Sequence, residues 1–383
     1  MKKLKIAFIG LKGIPAKWGG MEKYVEEIGK RLAQRGHEVT VYGSKWYCPG
    51  SGRGDYLGMK VHAMPTLHFQ PTDALTNAFC SLVRILPAKY DIVHCHGYAS
   101  YYFIPILKFF GKKSVVTAHG VESGWDNPKY SSLARVILRR AYETGIKNAD
   151  GVTTVADHLR ARIYKMFRFF ADVMPSGFDE VTSRPAQIIS DKYGLKGQDY
   201  VLFLGRIDPI KRADWLLDFK TITGSDIKIV IAGGPQDSST RVYYDSIIKR
   251  ASGNSQIILT GPVIGDEKAE LLSNCICMMA PSQYEGLPIT VLEAAAYGRC
   301  CFASDIPAHK EIIEDGVNGF LFASQSKQAF LDGMKKIISS SADSLSAIGY
   351  QAKRTALNKF NWDITTDKFE SLYFRILFGG RNK

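Results

Sequence analysis

The sequence predicts an α/β protein with two parallel-sheet domains. Short β-branched or apolar runs alternate with helical patterns, as expected for parallel strands covered by helices on both faces. This alternation occurs twice, with a break at residues 175–185. A chain of 383 residues that is 45% hydrophobic and 23% charged has the length and balance of two or three soluble domains. Disordered, collagen-like and coiled-coil classes are therefore excluded.

Five runs predict strands in each half of the chain. Those of the first half are residues 4–9, 39–42, 92–94, 114–117 and 151–155, and those of the second half are 200–204, 227–231, 257–259, 276–280 and 300–303. A helical pattern at residues 21–35 follows the first strand, and another at 362–377 closes the chain. Because ligands bind beyond the carboxyl ends of parallel strands, two facing sheets would form a binding cleft.

Three features indicate a cytoplasmic protein. The longest apolar stretch, residues 98–110, is interrupted by Pro105 and Lys108 and is too short to cross a bilayer, which takes about 20 residues. The apolar run after the basic N-terminus is too short for the core of a signal peptide. The seven cysteines are odd in number and lack zinc-ribbon spacing, which fits a reducing compartment.

The positive charge lies almost entirely in the first half. Residues 1–180 carry 26 Lys and Arg against 15 Asp and Glu, whereas residues 181–383 carry 24 against 22. Such a one-sided field favours an anionic partner, either a phospholipid surface, a lipid phosphate or a nucleic acid. Solubility alone accounts for the charge equally well.

The first candidate loop, residues 10–20, is rich in glycine and joins a strand to a helix. Its backbone amides could hold a phosphate at the helix N-terminus. It matches neither the dinucleotide-binding GxGxxG nor the P-loop, so a tight turn remains the alternative.

A second candidate follows the strand at 200–204, where Arg206 and Lys211 could neutralise a diphosphate. A solvated surface pair is the alternative there.

The third candidate, residues 281–296, is the most specific. Pro288 suits a first helical turn, which would leave the amides of Gly286 and Leu287 free at the helix N-terminus. Glu285 in the loop and Glu293 in the helix could then bracket a ligand, because carboxylates accept hydrogen bonds from vicinal hydroxyls. Apolar neighbours indicate a buried or half-buried Glu293 that needs a partner, and a surface acid is the alternative.

These motifs resemble those of one enzyme family. Glu285 and Glu293, with the intervening GLPITVLEA, are similar to the signature of family 4 glycosyltransferases, which are retaining enzymes of the two-domain GT-B fold. Further resemblances are MPSGFD at 174–179, GRIDPIK at 205–211, IAGGP at 231–235, EIIEDGVNGFLF at 311–322 and FNWDITTDKFESLY at 360–373. The resemblance implies two Rossmann-like domains, 1–178 on the acceptor side and 179–358 for the nucleotide sugar. A helix at 359–383 would pack back on the first domain.

The resemblance also assigns roles to residues. It implies that Glu293 binds the nucleotide ribose and that Glu285 contacts the transferred sugar. Arg206 and Lys211 would bind the diphosphate, and His119 would lie near the reacting carbon. The implied catalytic residues are His119 and Glu285. The remaining donor-binding residues are Gly19, Gly20, Gly286, Leu287 and Thr290.

Two departures from the family pattern concern the donor site. Ile210 replaces the usual acid before the lysine, and Ser176 replaces the usual asparagine. Neither removes a phosphate ligand. His94 and His96 lack a third metal ligand at recognisable spacing, so strand packing is the preferred interpretation. The family uses a helix dipole and basic side chains in place of metal, so we expect neither metal nor cofactor.

The implied reaction is a hexosyl transfer from a nucleoside diphosphate sugar to a hydroxyl of a glycan or lipid-linked saccharide. Residues 13–44 and 119–125 are similar to the branch with bacterial rhamnosyltransferases of surface-polysaccharide synthesis. Alternatives are a noncatalytic sugar-nucleotide-binding or membrane-tethering subunit of the same fold, and an epimerase, for which no acid/base pair is found. Nucleic-acid binding lacks a recognition motif.

Two segments of the first half mix cations and aromatic residues. They are a helix-like stretch at 101–113, with Phe109, Phe110, Lys112 and Lys113, and a stretch at 164–170, with Lys165, Arg168 and Phe169. Such segments can lie on an anionic membrane, which predicts a peripheral protein at the inner face of the cell membrane. Packing of the aromatic residues in the core explains the pattern nearly as well.

Overall fold

A computed structural model describes residues 2–16, 19–48, 53–67, 72–120, 131–218, 226–235 and 238–379. The chain forms two compact units. The N-terminal unit comprises Met1–Ser176 and Trp362–Lys383, and the C-terminal unit comprises Gly177–Asn361. These limits differ slightly from the expected 178 and 358. Phe178 bridges to Asn361, and its N–H donates to the Phe360 carbonyl over 3.3 Å, which holds both segments in the C-terminal unit.

The N-terminal unit contains an eight-stranded sheet in the order β3-β4-β2-β1-β5-β6-β7-β8. All neighbouring strands are parallel except the edge pair β3 and β4, which is antiparallel. The strands are β1 (Lys5–Ile9), β2 (Glu38–Ser44), β3 (Arg53–Tyr56), β4 (Met59–Met64), β5 (Ile92–His96), β6 (Lys113–Ala118), β7 (Gly151–Thr154) and β8 (Asp172–Val173).

The helices of this unit pack on the sheet through amphipathic faces. They are α1 (Gly20–Gln34), α2 (Thr72–Ile85), α3 (Tyr98–Tyr101), α4 (Ile104–Phe109), α5 (Ser132–Asn148), α6 (Asp157–Phe167) and α14 (Trp362–Phe378). Ser131 caps α5 by accepting a hydrogen bond from the Ala134 N–H. The last helix, α14, returns from the end of the chain to pack against α1.

The C-terminal unit contains a parallel six-stranded sheet in the order β11-β10-β9-β12-β13-β14. Its strands are β9 (Tyr200–Leu204), β10 (Lys228–Ala232), β11 (Ile257–Gly261), β12 (Cys277–Ala280), β13 (Cys300–Ser304) and β14 (Phe320–Phe322). Its helices with described bounds are α7 (Ile188–Tyr193), α8 (Ser238–Ala251), α9 (Gly265–Asn274), α10 (Ile289–Ala296), α11 (Pro307–Lys310), α12 (Lys327–Ser339) and α13 (Ala342–Lys359), and a 3-10 turn spans Pro209–Lys211.

Central strands of both sheets are buried on both faces, and their sequences are mostly apolar, with His94 and His96 of β5 and Ser304 of β13 as buried polar residues. In the C-terminal unit the core includes Phe302 and Phe330, whose rings stack with centroids 5.8 Å apart. The predicted class, two parallel α/β sheets, is confirmed, and all ten predicted strands are present. The prediction did not include β3, β4, β8 and β14.

Close contacts at the strand ends require glycine at two positions. Gly10, directly after β1, has a φ of +86°, and a Cβ there would lie 1.6 Å from the His96 carbonyl oxygen. Gly233, directly after β10, has a φ of +151°, and its Cβ would lie 1.7 Å from the Gly205 oxygen. Any side chain at either position would separate the neighbouring strand ends, where the candidate loops begin.

The segment at 101–113 is not one helix as expected. Helix α3 ends at Tyr101, α4 ends at Phe109, and Lys113 already belongs to β6. The Lys112 ammonium donates to the Ala88 carbonyl, and Lys113 pairs with Asp150 over 2.9 Å. These two lysines are therefore engaged within the N-terminal unit. No helix in the described ranges is long and apolar enough to cross a membrane.

Candidate active site

Two loops of the C-terminal unit meet at the carboxyl end of its sheet. One follows β9 and contains Arg206 and Lys211, and the other follows the adjacent strand β12 and contains Glu285. The Gln283 N–H donates to the Ile210 carbonyl over 2.7 Å and joins the two loops. This end of an α/β sheet is where ligands bind. The structure thus brings together two of the site residues predicted from sequence, Lys211 and Glu285.

Lys211 and Glu285 form an ion pair with little access to solvent. Their side chains are 18% and 13% exposed, and the Ser282 hydroxyl donates to Glu285 over 2.8 Å. Burial by itself raises the pKa of Glu285, but the charge of Lys211 and hydrogen bonds from Lys211 and Ser282 bring that pKa below its ordinary value. Glu285 is therefore an anion at neutral pH, able to accept hydrogen bonds from hydroxyl groups.

His309 lies behind this pair and was not found from the sequence. It is fully buried on α11, and its Nδ1 lies 2.8 Å from the Ser304 carbonyl oxygen. Burial lowers the pKa of His309 to about 4, although the Glu285 charge raises it. Its Nε2 has no hydrogen-bond partner within the described ranges. A lone histidine without a spaced partner carries no sequence signal, so only the fold identifies it.

Glu293 lies on α10 and has a partner that sequence analysis did not identify. Its carboxylate is 2.6 Å from the ammonium of Lys268 on α9, and the two side chains are 17% and 31% exposed. The expected half-buried carboxylate with a partner is thus present. The start of the helix differs from expectation: α10 begins at Ile289 with Pro288 as N-cap. The amides of its first turn therefore include that of Thr290, whereas Gly286 and Leu287 precede the helix.

Arg206 directly follows Gly205 at the end of β9, and its side chain is exposed. Lys211 closes the 3-10 turn, which Asp208 caps by accepting a hydrogen bond from the Ile210 N–H over 3.0 Å. The two cations therefore lie at opposite ends of one short loop at the carboxyl end of β9. That they neutralise a diphosphate together stays a prediction.

The glycine-rich loop of the N-terminal unit is hydrogen-bonded to the first turn of α1. Gly19 is the N-cap of α1 and Gly20 its first residue. The Glu22 carboxylate accepts a hydrogen bond from the Lys12 N–H over 3.0 Å, which fixes the loop against the first turn of the helix. Lys17 and Trp18 of this motif, and residues 121–125 of the HGVESGW segment, lie outside the described residues.

His119 directly follows β6 and lies beside the same helix. Its Nε2 is 2.9 Å from Nδ1 of His96, and its ring meets that of Tyr24 on α1 edge-on at 5.0 Å between centroids. Burial lowers the pKa of His119 to about 3, so its ring is neutral at physiological pH. The His96 contact engages one ring nitrogen of His119 and so orients its ring.

His94 lies deeper in the sheet and has structural partners. Its Nδ1 is 2.7 Å from the Tyr373 hydroxyl on α14, and its Nε2 is 2.6 Å from the Thr117 hydroxyl. Burial lowers the pKa of His94 well below its ordinary value. In the described part of the chain, no group of three or more histidine, cysteine or acidic side chains has the arrangement of a metal site. The predicted site residues thus form two groups, one in each unit.

Two family models match the chain. Residues 18–180 match the model described as Glycosyltransferase Family 4, and residues 186–355 match the model described as Glycosyl transferases group 1. The junction between the two matches falls close to the change of unit after Ser176. The first match covers β2 to β8 of the N-terminal unit, without β1 and α14, and the second covers the C-terminal unit from α7 into α13.

Individual proteins are similar over nearly the whole chain. An uncharacterized glycosyltransferase of Methanocaldococcus jannaschii is 24% identical, over 97% of this chain and 98% of that protein. The GDP-mannose-dependent alpha-(1-6)-phosphatidylinositol monomannoside mannosyltransferase of Mycolicibacterium smegmatis is 25% identical, over 91% and 93% respectively. Among solved structures, sucrose-phosphate synthase of Thermosynechococcus elongatus has a TM-score of 0.87 at 17% identity, over 99% of this chain and all of that chain. This last likeness shows the fold.

The two parallel sheets and the two family matches define a glycosyltransferase of the GT-B fold. More particularly, the protein contains a Glycosyltransferase Family 4 domain at residues 18–180, followed by a Glycosyl transferases group 1 domain at residues 186–355. The resemblance stated from its motifs is confirmed at this level.

Proposed function

We propose that the protein transfers a sugar from a nucleoside diphosphate sugar to a hydroxyl group of a glycan or lipid-linked saccharide. The observation that carries this proposal is the meeting of Lys211, Glu285 and the N-terminus of α10 at the carboxyl end of one sheet. A basic group and helix amides suit a diphosphate, and an ionised carboxylate suits sugar hydroxyls. The GDP-mannose dependence in the name of the mycobacterial relative supports a nucleotide sugar as donor.

In the proposed reaction, the bond between the anomeric carbon and the diphosphate breaks while a bond to the acceptor oxygen forms on the same face. The acceptor proton passes to the leaving diphosphate, so the anomeric configuration is retained. Negative charge grows on the diphosphate in this step. Arg206, Lys211 and the first-turn amides of α10 stabilise it there, which is the main catalytic contribution and needs no metal.

The other predicted residues bind and position the donor in this proposal. Glu293 accepts hydrogen bonds from the ribose, and Thr290, Gly286 and Leu287 contact the donor along the loop and the first turn of α10. In the N-terminal unit, Gly19 and Gly20 offer amides to the diphosphate. His119 is neutral at physiological pH and acts as a hydrogen-bonding group toward the sugar rather than as a charge.

The phosphatidylinositol mannoside in the name of the mycobacterial relative supports a lipid-linked acceptor. The motifs at 13–44 favour surface-polysaccharide synthesis, with a rhamnosyl group as one candidate sugar. The lipid-linked acceptor and the rhamnosyl donor are tested by the same assay, because that assay varies both the donor and the acceptor.

The experiment is an assay of nucleotide release from a panel of nucleoside diphosphate sugars, with and without membrane lipid extract. We expect release from one donor, with a rate that rises when lipid is present. Saturable donor binding without release, in the presence of both glycan and lipid acceptors, would instead support a noncatalytic sugar-nucleotide-binding subunit. Analysis of the product linkage by nuclear magnetic resonance tests retention of the anomeric configuration.

A further inference from the structure

One layer of helices in the N-terminal unit has an unusually apolar outer surface. Helix α2 packs on α3, and α3 and α4 pack on α5. The ring of Tyr142 on α5 lies 5.7 Å from that of Phe167 at the end of α6. Helices α2 to α6 therefore form one continuous layer, and we call its solvent-facing side the α2–α6 face.

Exposed large apolar side chains are concentrated on this face. Of the 21 such side chains among the described residues, 11 belong to it: Leu75, Phe79, Val83, Ile106, Phe109, Phe110, Leu133, Val136, Ile137, Tyr164 and Phe170. Phe109 is 85% exposed and Leu133 is 71% exposed. Single exposed apolar residues are normal on a protein surface, but a concentration of this kind marks an interaction site.

These side chains form connected stripes. Leu75, Phe79 and Val83 recur every fourth residue along α2 and so share one side of it. The Phe79 ring lies 6.2 Å from that of Phe103, and the neighbouring Tyr102 hydroxyl donates to the Ile137 carbonyl on α5 over 2.5 Å. The apolar surface therefore runs from α2 across to α5.

Basic side chains accompany the apolar stripes. Helices α2 to α6 carry nine lysines and arginines but only three acidic residues. Lys108, Arg139 and Arg140 are exposed. The nearby Glu143 pairs with Lys147 over 2.5 Å, and the two arginines act on it only through their charge. Two identical faces of this charge would repel each other in a symmetric dimer. Their charge is instead complementary to an anionic surface that also accepts apolar side chains.

We propose that the α2–α6 face docks on an anionic lipid bilayer, with its apolar stripes in the headgroup boundary and its cations on lipid phosphates. In this proposal the membrane contacts are made by side chains of α2, α4 and α5. Lys112 and Lys113, which the sequence analysis had considered for that role, are engaged within the protein. It does not depend on the proposed transferase reaction. Vesicle binding is measured without donor, so failure of either proposal leaves the other standing.

The experiment measures co-sedimentation of the full chain with vesicles. Equimolar phosphatidylglycerol and phosphatidylcholine provide the anionic surface, and pure phosphatidylcholine is the neutral control. We expect binding to the anionic vesicles that weakens as salt is raised. R139Q/R140Q should lower the apparent partition coefficient by roughly tenfold to thirtyfold, and L133S/V136S/I137S by about tenfold or more.

The matched control is Val242→Ser, which removes a 75% exposed apolar side chain from α8 of the C-terminal unit and should leave binding unchanged. All substituted side chains are exposed, and circular dichroism checks that each variant is folded. If the apolar variant does not fold, the arginine variant alone decides the question. Absence of binding to anionic vesicles would overturn the proposal, as would binding that neither variant weakens. Light scattering that shows a dimer broken by L133S/V136S/I137S would identify the face as a contact between copies and would equally overturn it.

Discussion

Glu285 is the residue on which the proposed chemistry depends most directly. Its carboxylate is ionised because Lys211 and Ser282 outweigh the effect of burial on its pKa. Glu285→Gln keeps the shape but removes the charge that accepts hydrogen bonds from the sugar. We expect turnover to fall by roughly a hundredfold, as for loss of one preorganised polar group in other active sites. Asp332→Asn, an equivalent change at an exposed position of α12, is the control for the nucleotide-release assay. Near-normal turnover of Glu285→Gln would show that the role is misassigned.

Glu293 gives a different kinetic prediction. In the absence of ligand its carboxylate pairs with Lys268 over 2.6 Å, so a ribose has to share or replace that partner. If Glu293 binds the ribose alike in the ground and transition states, Glu293→Gln raises KM for the donor by about tenfold with a smaller change in kcat. The control is Glu267→Gln on α9, the helix that carries Lys268, where the Glu267 carboxylate contacts Lys192 and Tyr193. An unchanged KM in Glu293→Gln would contradict the ribose assignment.

At the scale of elements, α14 is attached to α1 and the start of β2 by charged side chains. Glu370 accepts from Arg35 over 3.0 Å and lies 2.9 Å from His37 Nε2, and its side chain is only 9% exposed. Asp367 pairs with the same arginine over 2.6 Å but is 66% exposed. One helix therefore carries a buried and an exposed version of the same interaction.

We expect Glu370→Gln to lower the free energy of unfolding by about 1–3 kcal/mol, because it weakens two hydrogen bonds in a buried setting. Asp367→Asn should cost less than about 1 kcal/mol, since water screens an exposed pair. Chemical denaturation of both variants compares them directly. Equal effects would mean that burial does not decide the contribution of these pairs.

The antiparallel edge of the first sheet shows what sequence patterns miss at this scale. Strand β3 has the sequence Arg-Gly-Asp-Tyr, which lacks an apolar alternation, and the turn that follows uses Leu57 and Gly58 at φ values of 51° and 80°. A turn of this geometry usually has asparagine or aspartate at its first position, so the hairpin carries no clear signal. The buried central strands were predictable because their composition alone requires two covered faces.

Across the whole molecule, the buried His94, His96 and His309 and the half-buried His119 link stability to pH. Burial lowers the pKa of His94 and His96 well below the ordinary 6.5, that of His119 to about 3 and that of His309 to about 4. Below pH 6.5 the unfolded chain therefore binds protons that the folded chain does not. The stability that these neutral histidines contribute is fully present above pH 6.5. It falls as the pH decreases toward their pKa values in the folded state, by up to about 1.4 kcal/mol per pH unit for each histidine.

The measurement is the free energy of unfolding by urea at pH 7.5 and pH 5.0. His94→Gln should lower the slope of the unfolding free energy against pH by the equivalent of about one proton. The variant also loses the contacts to Tyr373 and Thr117, which lowers stability at both pH values without changing this expectation. His158→Asn, on α6, is the control variant. A slope in His94→Gln equal to that of the natural chain would contradict this account.

The sequence predicted the two sheets, the order of their strands along the chain and the site segments, because periodicity and strand-end motifs are local. The partners of the site residues were not predictable in the same way. Lys268 lies on a different helix from Glu293, and His309 approaches Glu285 through a separate loop and a short helix. Such contacts arise only when distant segments pack, so they have no pattern within a single window of sequence.

The return of α14 to the N-terminal unit has a consequence for synthesis on the ribosome. The first 176 residues of that unit emerge early, but the helix that covers α1 emerges only after the whole C-terminal unit has been made. Until then Arg35, His37 and His94 lack the partners that α14 provides. The C-terminal unit can therefore complete its packing while the N-terminal unit still lacks α14. This order reverses the usual N-terminal-first folding during translation.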